Sequence, residues 1–589
     1  MPLRRALPTA LLLVVLALLG VGALLLGSAT LQRFVDYKPP GVVGATSGGD
    51  APRLSSQVVL VVVDGLRYDA SLGMPFLNEL RHQGAEFIAE AGQPSLSHPA
   101  WAALGTGAGP EASGVTTNWY VGPIQVDSML AEARRAGLKT AIVGDAAWGQ
   151  LYAGSVDVGR YSYNPAREGP SGDRVIPGPT DSGDSAGIAR VDEEFARQAL
   201  AILKTQSPGL LILHFLGPDE VGHVHGAASP EYRESVAHVD DLLRQVVAGL
   251  DLASSTLVVT SDHGQTDRGG HGGWEPEVVR TPLVLVGRGI ARPRLPGRAP
   301  AQVDQRDVAP TIAVLLGTAL PTRNEGRPLF EALALPPEAR ASRGVDVAVE
   351  RRALALAYAR QLGVEPPVRD TVGVAANALE ARHYAQAAGD ADDALTELAQ
   401  WFSAAKEERL ARDRQARAPV AALALLAPVA YAVLARPRRE TLLALPFGVV
   451  YSLASWLVYF GRGYFLSPAA FSSEASVRSF FVGRAIDAGV LALAFAAVVG
   501  LAYHRAGPGA AARLGARSLF WAATFLVWQV ALFYLFYGVT YESYLPDLQF
   551  ALVYYLDLVQ LVAVGLAAIP AVGLATLAAL AGRALARPG

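Results

Sequence analysis

Apolar positions along this chain come in two lengths, and the lengths predict two kinds of element. The long kind opens the sequence. No charged residue lies between Arg5 and Arg33, and Ala10 to Leu26 is almost wholly Leu, Val, Ala and Gly. About 20 apolar residues at ~1.5 Å rise span a bilayer, whereas the apolar core of a signal peptide runs to roughly 7–15. The segment therefore reads as an uncleaved anchor; the cleavable alternative rests on the small residues Gly27-Ser28-Ala29. The pattern returns after Ala418, with predicted spans at 418–435, 441–460, 485–503 and 518–538 and a long stretch at 549–582 that contains Pro570. That last stretch is either one tilted, kinked helix or a helix followed by a re-entrant piece.

The short kind fills the middle. Val58–Val63 (VVLVVV), Leu210–Phe215 (LLILHF) and Thr256–Thr260 (TLVVT) are brief apolar runs, as expected of strands buried on both faces of a parallel sheet. Helical stretches lie between them at Pro75–Gln83, Val126–Ala136 and Pro230–Leu250. Strands alternating with helices predict an α/β domain. From Gly344 to Arg417, Ala, Glu, Arg and Leu recur at helical spacing. The expected organisation is a cytoplasmic N-terminus and anchor at 1–32, an exterior α/β domain at 56–343, a polar helical connector at 344–417 and a five-span transmembrane domain at 418–589. The Gly-, Pro- and Ser-rich segment 157–187 interrupts the α/β pattern and is a candidate wall of a substrate cleft.

Charge placement predicts which side each loop faces. With Arg4 and Arg5 inside, the loops holding Arg436, Arg438 and Arg439 and then Arg505, Arg513 and Arg517 also fall inside, as does the C-terminus with Arg583 and Arg587. The loops 461–484 and 539–548, the latter with Glu542 and Asp547, fall outside. Every inside segment is Arg-rich, as the positive-inside rule requires. The expectation is a multi-pass protein of the cell membrane with its α/β domain on the extracytoplasmic side.

Composition agrees. Of 589 residues only 17% are charged and 51% are hydrophobic, against about 25% charged in soluble domains. A net charge of −3 excludes a strongly basic nucleic-acid binder, so no nucleic acid polymer is expected as partner. The absence of Cys excludes disulfides, thiolate metal sites, Fe–S clusters and a cysteine nucleophile.

The candidate chemistry sits on the loops after the predicted strands. Asp64 follows the first, Asp219 and His223 lie in PDEVGHVHG after the second, and Asp262 and His263 lie in SDHG after the third. His271 follows between glycines in GGHGG. In an open α/β sheet ligands bind outside the carboxyl ends of the strands, so these three Asp and three His should converge. Six such ligands suffice for two metal ions, and mixed imidazole and carboxylate suits Zn²⁺ best, with Mn²⁺ or Fe as alternatives. Ser97, in QPSLSHPAW at a predicted helix start, supplies a nucleophile. A helix N-terminus favours an anionic phosphoryl group, and a metal lowers the hydroxyl pKa.

The ordered motifs VVVDGLR, QPSLSHPAWAALGTGAGPEASGVTTN, PDEVGHVHG, SDHG and GGHGG resemble the alkaline-phosphatase superfamily. Within it they are most similar to type I phosphodiesterases/nucleotide pyrophosphatases. The stretch LHFLGPDEVGHVHGAASPEYRESVAHVDDLL also resembles the glycosylphosphatidylinositol ethanolamine-phosphate transferases, and DVAPTIAVLLG resembles the superfamily's closing helix. The likeness covers about 56–340. It implies an alkaline-phosphatase-like mixed or parallel sheet flanked by helices, here joined to an α-helical transmembrane domain. It also implies one metal on Asp64, Ser97, Asp262 and His263 and another on Asp219, His223 and His271. Asn118, 21 residues after Ser97, falls where that family places an amide that holds a nonbridging phosphate oxygen. Arg67 is a candidate to face substrate or else an ordinary helix-start residue; His98 and His225 flank ligands and could touch phosphate or leaving group. Sulfatases share the fold but need Cys/Ser-x-Pro-x-Arg, and this chain has Trp101 at the Arg position. Phosphoglycerate mutase shares the metal logic but is a cytosolic enzyme without spans.

The resulting expectation is a membrane-embedded two-metal phosphodiesterase or phosphotransferase with a phospho-Ser97 intermediate. A lipid-linked phosphodiester is the expected substrate, with head-group transfer of the phosphoethanolamine type to a glycolipid or sugar hydroxyl. Hydrolysis by a membrane-anchored nucleotide pyrophosphatase/phosphodiesterase is the alternative, and a non-catalytic binding module the rival from another class.

Overall fold

The computed structural model describes residues 2–39, 41, 52–163, 174–177, 184–291, 299–435, 438–470, 474–541 and 544–586. They form two compact units, one of Val35–Arg409 and one that gathers Met1–Phe34, Leu410–Tyr541 and Leu545–Gly589.

The first unit is built on a nine-stranded sheet. Its strands are β1 (Gln57–Val63), β2 (Ala85–Glu90), β3 (Thr140–Gly144), β4 (Val158–Tyr163), β5 (Arg174–Pro177), β6 (Leu210–Phe215), β7 (Ser255–Thr260), β8 (Arg280–Gly287) and β9 (Ala301–Asp304). Their order is β5-β4-β3-β6-β1-β7-β8-β2-β9. All pairs are parallel except those of β8, which runs antiparallel to both β7 and β2. Of the two forms the family likeness left open, mixed or parallel, the sheet is therefore the mixed one.

β1 lies between β6 and β7, with Val63 opposite Phe215 and Val62 opposite Thr260. Successive strand residues point to opposite faces, so an unbroken apolar run must be covered twice. Val58, Leu60 and Val62 pack with Leu210, Ile212, Trp101, Leu104 and Ile312 on one face. Val59, Val61 and Val63 pack with Leu211, Leu213, Phe195, Val239 and Leu243 on the other. The helices behind these contacts include Ser97–Thr106, Ser185–Gln206, Pro230–Ala248 and Val308–Leu316.

The segment expected as a connector packs on the first of these cores. Helices Pro337–Leu362 and Thr371–Glu380 and the start of Tyr384–Leu434 bring Val345, Ala348, Ala355, Ala375, Ala394 and Leu398 into it. Their polar surface residues mask a small-residue stripe of Ala and Val. Within 157–187, β4 and β5 extend the sheet edge; residues 164–173 and 178–183, and with them the suggested cleft wall, lie outside the described residues.

The second unit is helical. Among the described residues, six helices are long and apolar enough to cross a membrane: Thr9–Val35, Tyr384–Leu434, Arg438–Gly461, Ser476–Ala502, Pro508–Tyr537 and Leu548–Leu585. Span 418–435 is not a separate element but the end of a 51-residue helix that tolerates Pro419 and Pro428. The final stretch is one helix with Pro570 inside it, not a helix and a re-entrant piece. Ala568, Ala571 and Ala575 face the bundle while Leu11, Leu423, Leu457 and Leu566 are exposed, the distribution expected where the surrounding solvent is apolar. Arg436 and Pro437 and residues 542–543, used in the topology reading, lie outside the described residues.

Candidate active site

The parallel trio β6-β1-β7 decides where the chemistry sits. Three adjacent strands running the same way deliver Asp64, Asp219 and Asp262 to one sheet edge. The turn after Asp64 depends on Gly65, which has φ +67; a Cβ there would lie 2.7 Å from the Cα of Asp219. Only glycine allows both that left-handed turn and the close approach of the two ligand loops. Asp219 and His223 are one helical turn apart on Gly217–His225, so both side chains leave the same face.

The six expected ligands come together. Nε2 of His263 lies 3.5 Å from Oδ1 of Asp64 and 3.5 Å from Oδ2 of Asp262. The Oγ of Ser97, at the first position of helix Ser97–Thr106, lies 3.3 Å from the same nitrogen. Asp219 and His223 are 3.1 Å apart, and His271 is 3.3 Å from His223 and 3.8 Å from Asp219. The two sets abut, since the His263 and His271 rings stack with centroids 3.8 Å apart. Asp219 also reaches Asp64 and His263 closely enough to share a cation with them. All of these residues are buried except His223, which is partly exposed.

Burial and crowding set the charge states. Burial, then the facing Asp262 and Asp219, push the Asp64 carboxyl far above its ordinary value. Burial also raises Asp262, with His214 working against it. Burial acts to raise Asp219 too, but His223, His271 and His263 prevail and hold its carboxyl below the usual range. Burial brings His263 down to about 4, and burial with the neighbouring His263 brings His271 down to about 3.

These observations bear on whether the residues fit metal ions. His263 Nδ1 is 3.1 Å from the carbonyl of Gly264, and His271 Nδ1 is 3.0 Å from that of Ser95. A carbonyl can only accept, so each Nδ1 carries the proton and each Nε2 turns a lone pair inward, the arrangement of metal-ligating imidazoles. Asp64 Oδ1 is buried without a hydrogen-bond partner among the described residues. Lone pairs and carboxylates this close repel unless a cation lies among them, and mixed N and O donors suit a divalent ion of the Zn²⁺ or Mn²⁺ kind. The donor set fits two such ions.

The flanking candidates divide. Asn118 Oδ1 accepts the backbone N–H of His98 at 3.0 Å, which fixes its amide beside the Ser97 helix start. Arg67 is bound to Asp69 and Asp267, each at 2.6 Å, and stands at the N-cap of the short helix Tyr68–Ser71. The His98 ring is buried against Trp101, and His225 is exposed at a helix end. Three residues that the sequence reading passed over also touch ligands. His214 Nε2 is 3.1 Å from Asp64 Oδ2, Trp101 Nε1 donates to Asp262 Oδ2 at 2.9 Å, and Gln265 Nε2 donates to Asp219. Gln265 directly follows SDHG, which is the one local signal among them.

Residues 58–271 match the family model of type I phosphodiesterases/nucleotide pyrophosphatases. The chain is 31% identical over 308 residues to the human GPI ethanolamine phosphate transferase 2 catalytic subunit, covering 50% of this chain and 30% of that protein. It is 29% identical over 318 residues to human GPI ethanolamine phosphate transferase 1, covering 47% and 32%. The chain thus spans about a third of the length of these relatives. A crystal structure of the alkaline phosphatase PafA aligns with 48% of this chain and 99% of its own at 12% identity, with a TM-score of 0.38. By sequence, residues 58–271 are thus similar to type I phosphodiesterases/nucleotide pyrophosphatases, with GPI ethanolamine phosphate transferases among the chain's sequence relatives.

Proposed function

We propose that this protein is a membrane-embedded phosphotransferase that moves a phosphoethanolamine-type head group from a lipid to a glycolipid or sugar hydroxyl. The observation that carries the reading is the convergence of Ser97 Oγ on His263 Nε2, between Asp64 and Asp262. Divalent cations held by Asp64, Ser97, Asp262 and His263, and by Asp219, His223 and His271, supply charge stabilisation and a lowered hydroxyl pKa when bound. Ser97 attacks phosphorus, so a new Ser97 O–P bond forms as the P–O bond to the lipid alcohol breaks, and that alcohol takes up the proton that Ser97 gives up. Starting a helix, Ser97 presents the phosphoryl group to backbone N–H groups. Asn118, whose Oδ1 is committed to His98, offers its NH₂ to a nonbridging oxygen. The acceptor hydroxyl then attacks the same phosphorus, the Ser97 O–P bond breaks, and the proton the acceptor gives up returns to Ser97 Oγ.

The likeness to GPI ethanolamine phosphate transferases and the six apolar helices support a lipid-linked donor. The Arg distribution supports a cell-membrane topology with the sheet unit outside. The likeness to nucleotide pyrophosphatases supports the second reading, in which water takes the place of the acceptor hydroxyl. Turnover of phosphatidylethanolamine and of nucleotides by the purified protein, with mass spectrometry of the products, tests both. Head-group transfer to an added sugar acceptor supports the first, release of free phosphoethanolamine or nucleoside monophosphate the second, and no turnover with Zn²⁺ or Mn²⁺ defeats both.

A further inference from the structure

His214 occupies a core position on β6. Leu210, Ile212 and His214 share one face of that strand, and the first two pack into an all-apolar cluster with Val62, the register neighbour of His214. A leucine there would continue the cluster, whereas an imidazole carries two polar nitrogens into a site with no solvent exposure at all. Burying polar atoms costs stability unless they are hydrogen-bonded, so the position is spent on something other than packing.

The surroundings are shaped for that ring. Trp101 meets it edge-on with centroids 4.8 Å apart, and Trp148 closes a second side at 5.9 Å. On β3, a Cβ added to Gly144 would lie 2.5 Å from the His214 Cβ and 3.3 Å from its Nδ1. Glycine at 144 is thus what leaves room for the imidazole. Nδ1 has no hydrogen-bond partner among the described residues, while Nε2 is 3.1 Å from Oδ2 of Asp64. An unpartnered buried acceptor costs less than an unpartnered buried N–H, so the proton belongs on Nε2, where the carboxylate accepts it.

We propose that His214 is a positioning residue: by donating from Nε2 to Oδ2, it fixes the rotation of Asp64 and directs Oδ1 to the cation shared with Asp262, His263 and Ser97. The inference rests on the two-metal reading of the site. Oδ2 is held from inside the sheet, and Oδ1 lies on the side of His263. Trp101 reinforces the same device, because the indole that walls His214 also donates to Asp262. Two ligand carboxylates are thereby oriented by one packed pair of rings.

Zn²⁺ titration of the chelator-stripped, detergent-solubilised full chain tests this. Wild type should bind two ions per chain; failure to do so would sink the two-metal reading itself. His214→Gln, whose amide NH₂ can replace the Nε2 donor, should keep both affinities within a few-fold. His214→Leu should weaken one of the two by about 10–100-fold, the usual effect of losing a partner that orients a ligand, and leave the other in place. Gly144→Ala, which displaces the ring without removing it, should weaken the same ion, and it carries the test if the Leu variant does not fold. Unchanged affinity in His214→Leu or Gly144→Ala overturns the proposal, as does a loss in His214→Gln equal to that in His214→Leu, which would make the imidazole a ligand in its own right.

Discussion

Nε2 of His263 lies 3.3 Å from Oγ of Ser97, although 166 residues separate the two in the chain. The contact joins the loop after β7 to the first turn of a helix that covers the sheet. It places a hydroxyl where an imidazole and two carboxylates already converge.

Ser97→Ala should therefore abolish turnover while the fold persists. Ser97 does not cap its helix, whose N-cap is Leu96 without a side-chain bond, so the stability loss should stay near or below about 1 kcal/mol. Ser97→Thr should keep partial activity through its own hydroxyl. Trapping the phosphorylated enzyme and mapping the label checks the assignment. A label on Ser95, whose Oγ is bound to Gly273 and Gly272, would show that the nucleophile is misplaced.

His271→Ala should lower metal content from two ions per chain to one. Its Nε2 lies 3.3 Å from that of His223 and 3.8 Å from Asp219, and the three side chains are close enough to hold one cation. The remaining set, Asp64, Asp262, His263 and Ser97, stays complete. Elemental analysis of the purified variant after dialysis is the measurement, and two ions retained would refute the ligand partition.

Trp101→Phe keeps an aromatic ring against Trp148 but removes the donor to Asp262. Hydrogen bonds to charged groups contribute about 1.5–3 kcal/mol, so affinity for the cation at Asp262 should fall about tenfold or more. Thermal unfolding with and without added Zn²⁺ reads this: the variant should show a smaller metal-induced rise in Tm. An equal rise would remove Trp101 from the site's support.

Asp192 gives a pH signature independent of metal. It is fully buried and accepts the N–H groups of Leu216 and Gly217, just ahead of Asp219. Burial raises its carboxyl to about 7, with those two N–H groups working the other way. An acid raised on folding contributes most below its unfolded pKa of about 4, and that contribution is lost as pH climbs through 7. Asp192→Asn has no such titration, so its Tm should gain on wild type between pH 4 and 7. A Tm difference that stays constant across that range would contradict the burial argument.

The topology is open to a direct test because the chain has no native Cys. With the Arg-rich loops inside, Pro437→Cys should resist an impermeant thiol reagent in intact cells and react after lysis. Labelling of intact cells would reverse the orientation.

Much of this protein follows from local pattern. Short apolar runs predicted β1, β6 and β7 to within a residue, because a strand buried on both faces has few alternatives. Long apolar stretches predicted the long apolar helices for a similar reason, since a segment that suits lipid must satisfy its own backbone. The candidate ligands stood out because Asp and His in glycine-flanked strand-end loops are poor choices for packing. Other features depended on neighbours distant in sequence. His214 sits inside an apolar run, and Trp101 inside a helix of buried residues, so nothing local marks either as polar support; the adjacency of β6 to β1 brings His214 under Asp64 across 150 residues. The segment after 344 looked polar because its buried stripe is mostly Ala, whose contribution depends on the surface it meets. The antiparallel direction of β8, and the single long helix that absorbs span 418–435, are likewise tertiary outcomes. Sequence fixes which side chains are available and which segments bury themselves, since those depend on composition and period. Which oxygen of Asp64 faces the site depends on strand order and on the space left by Gly144, and those exist only once distant segments have packed.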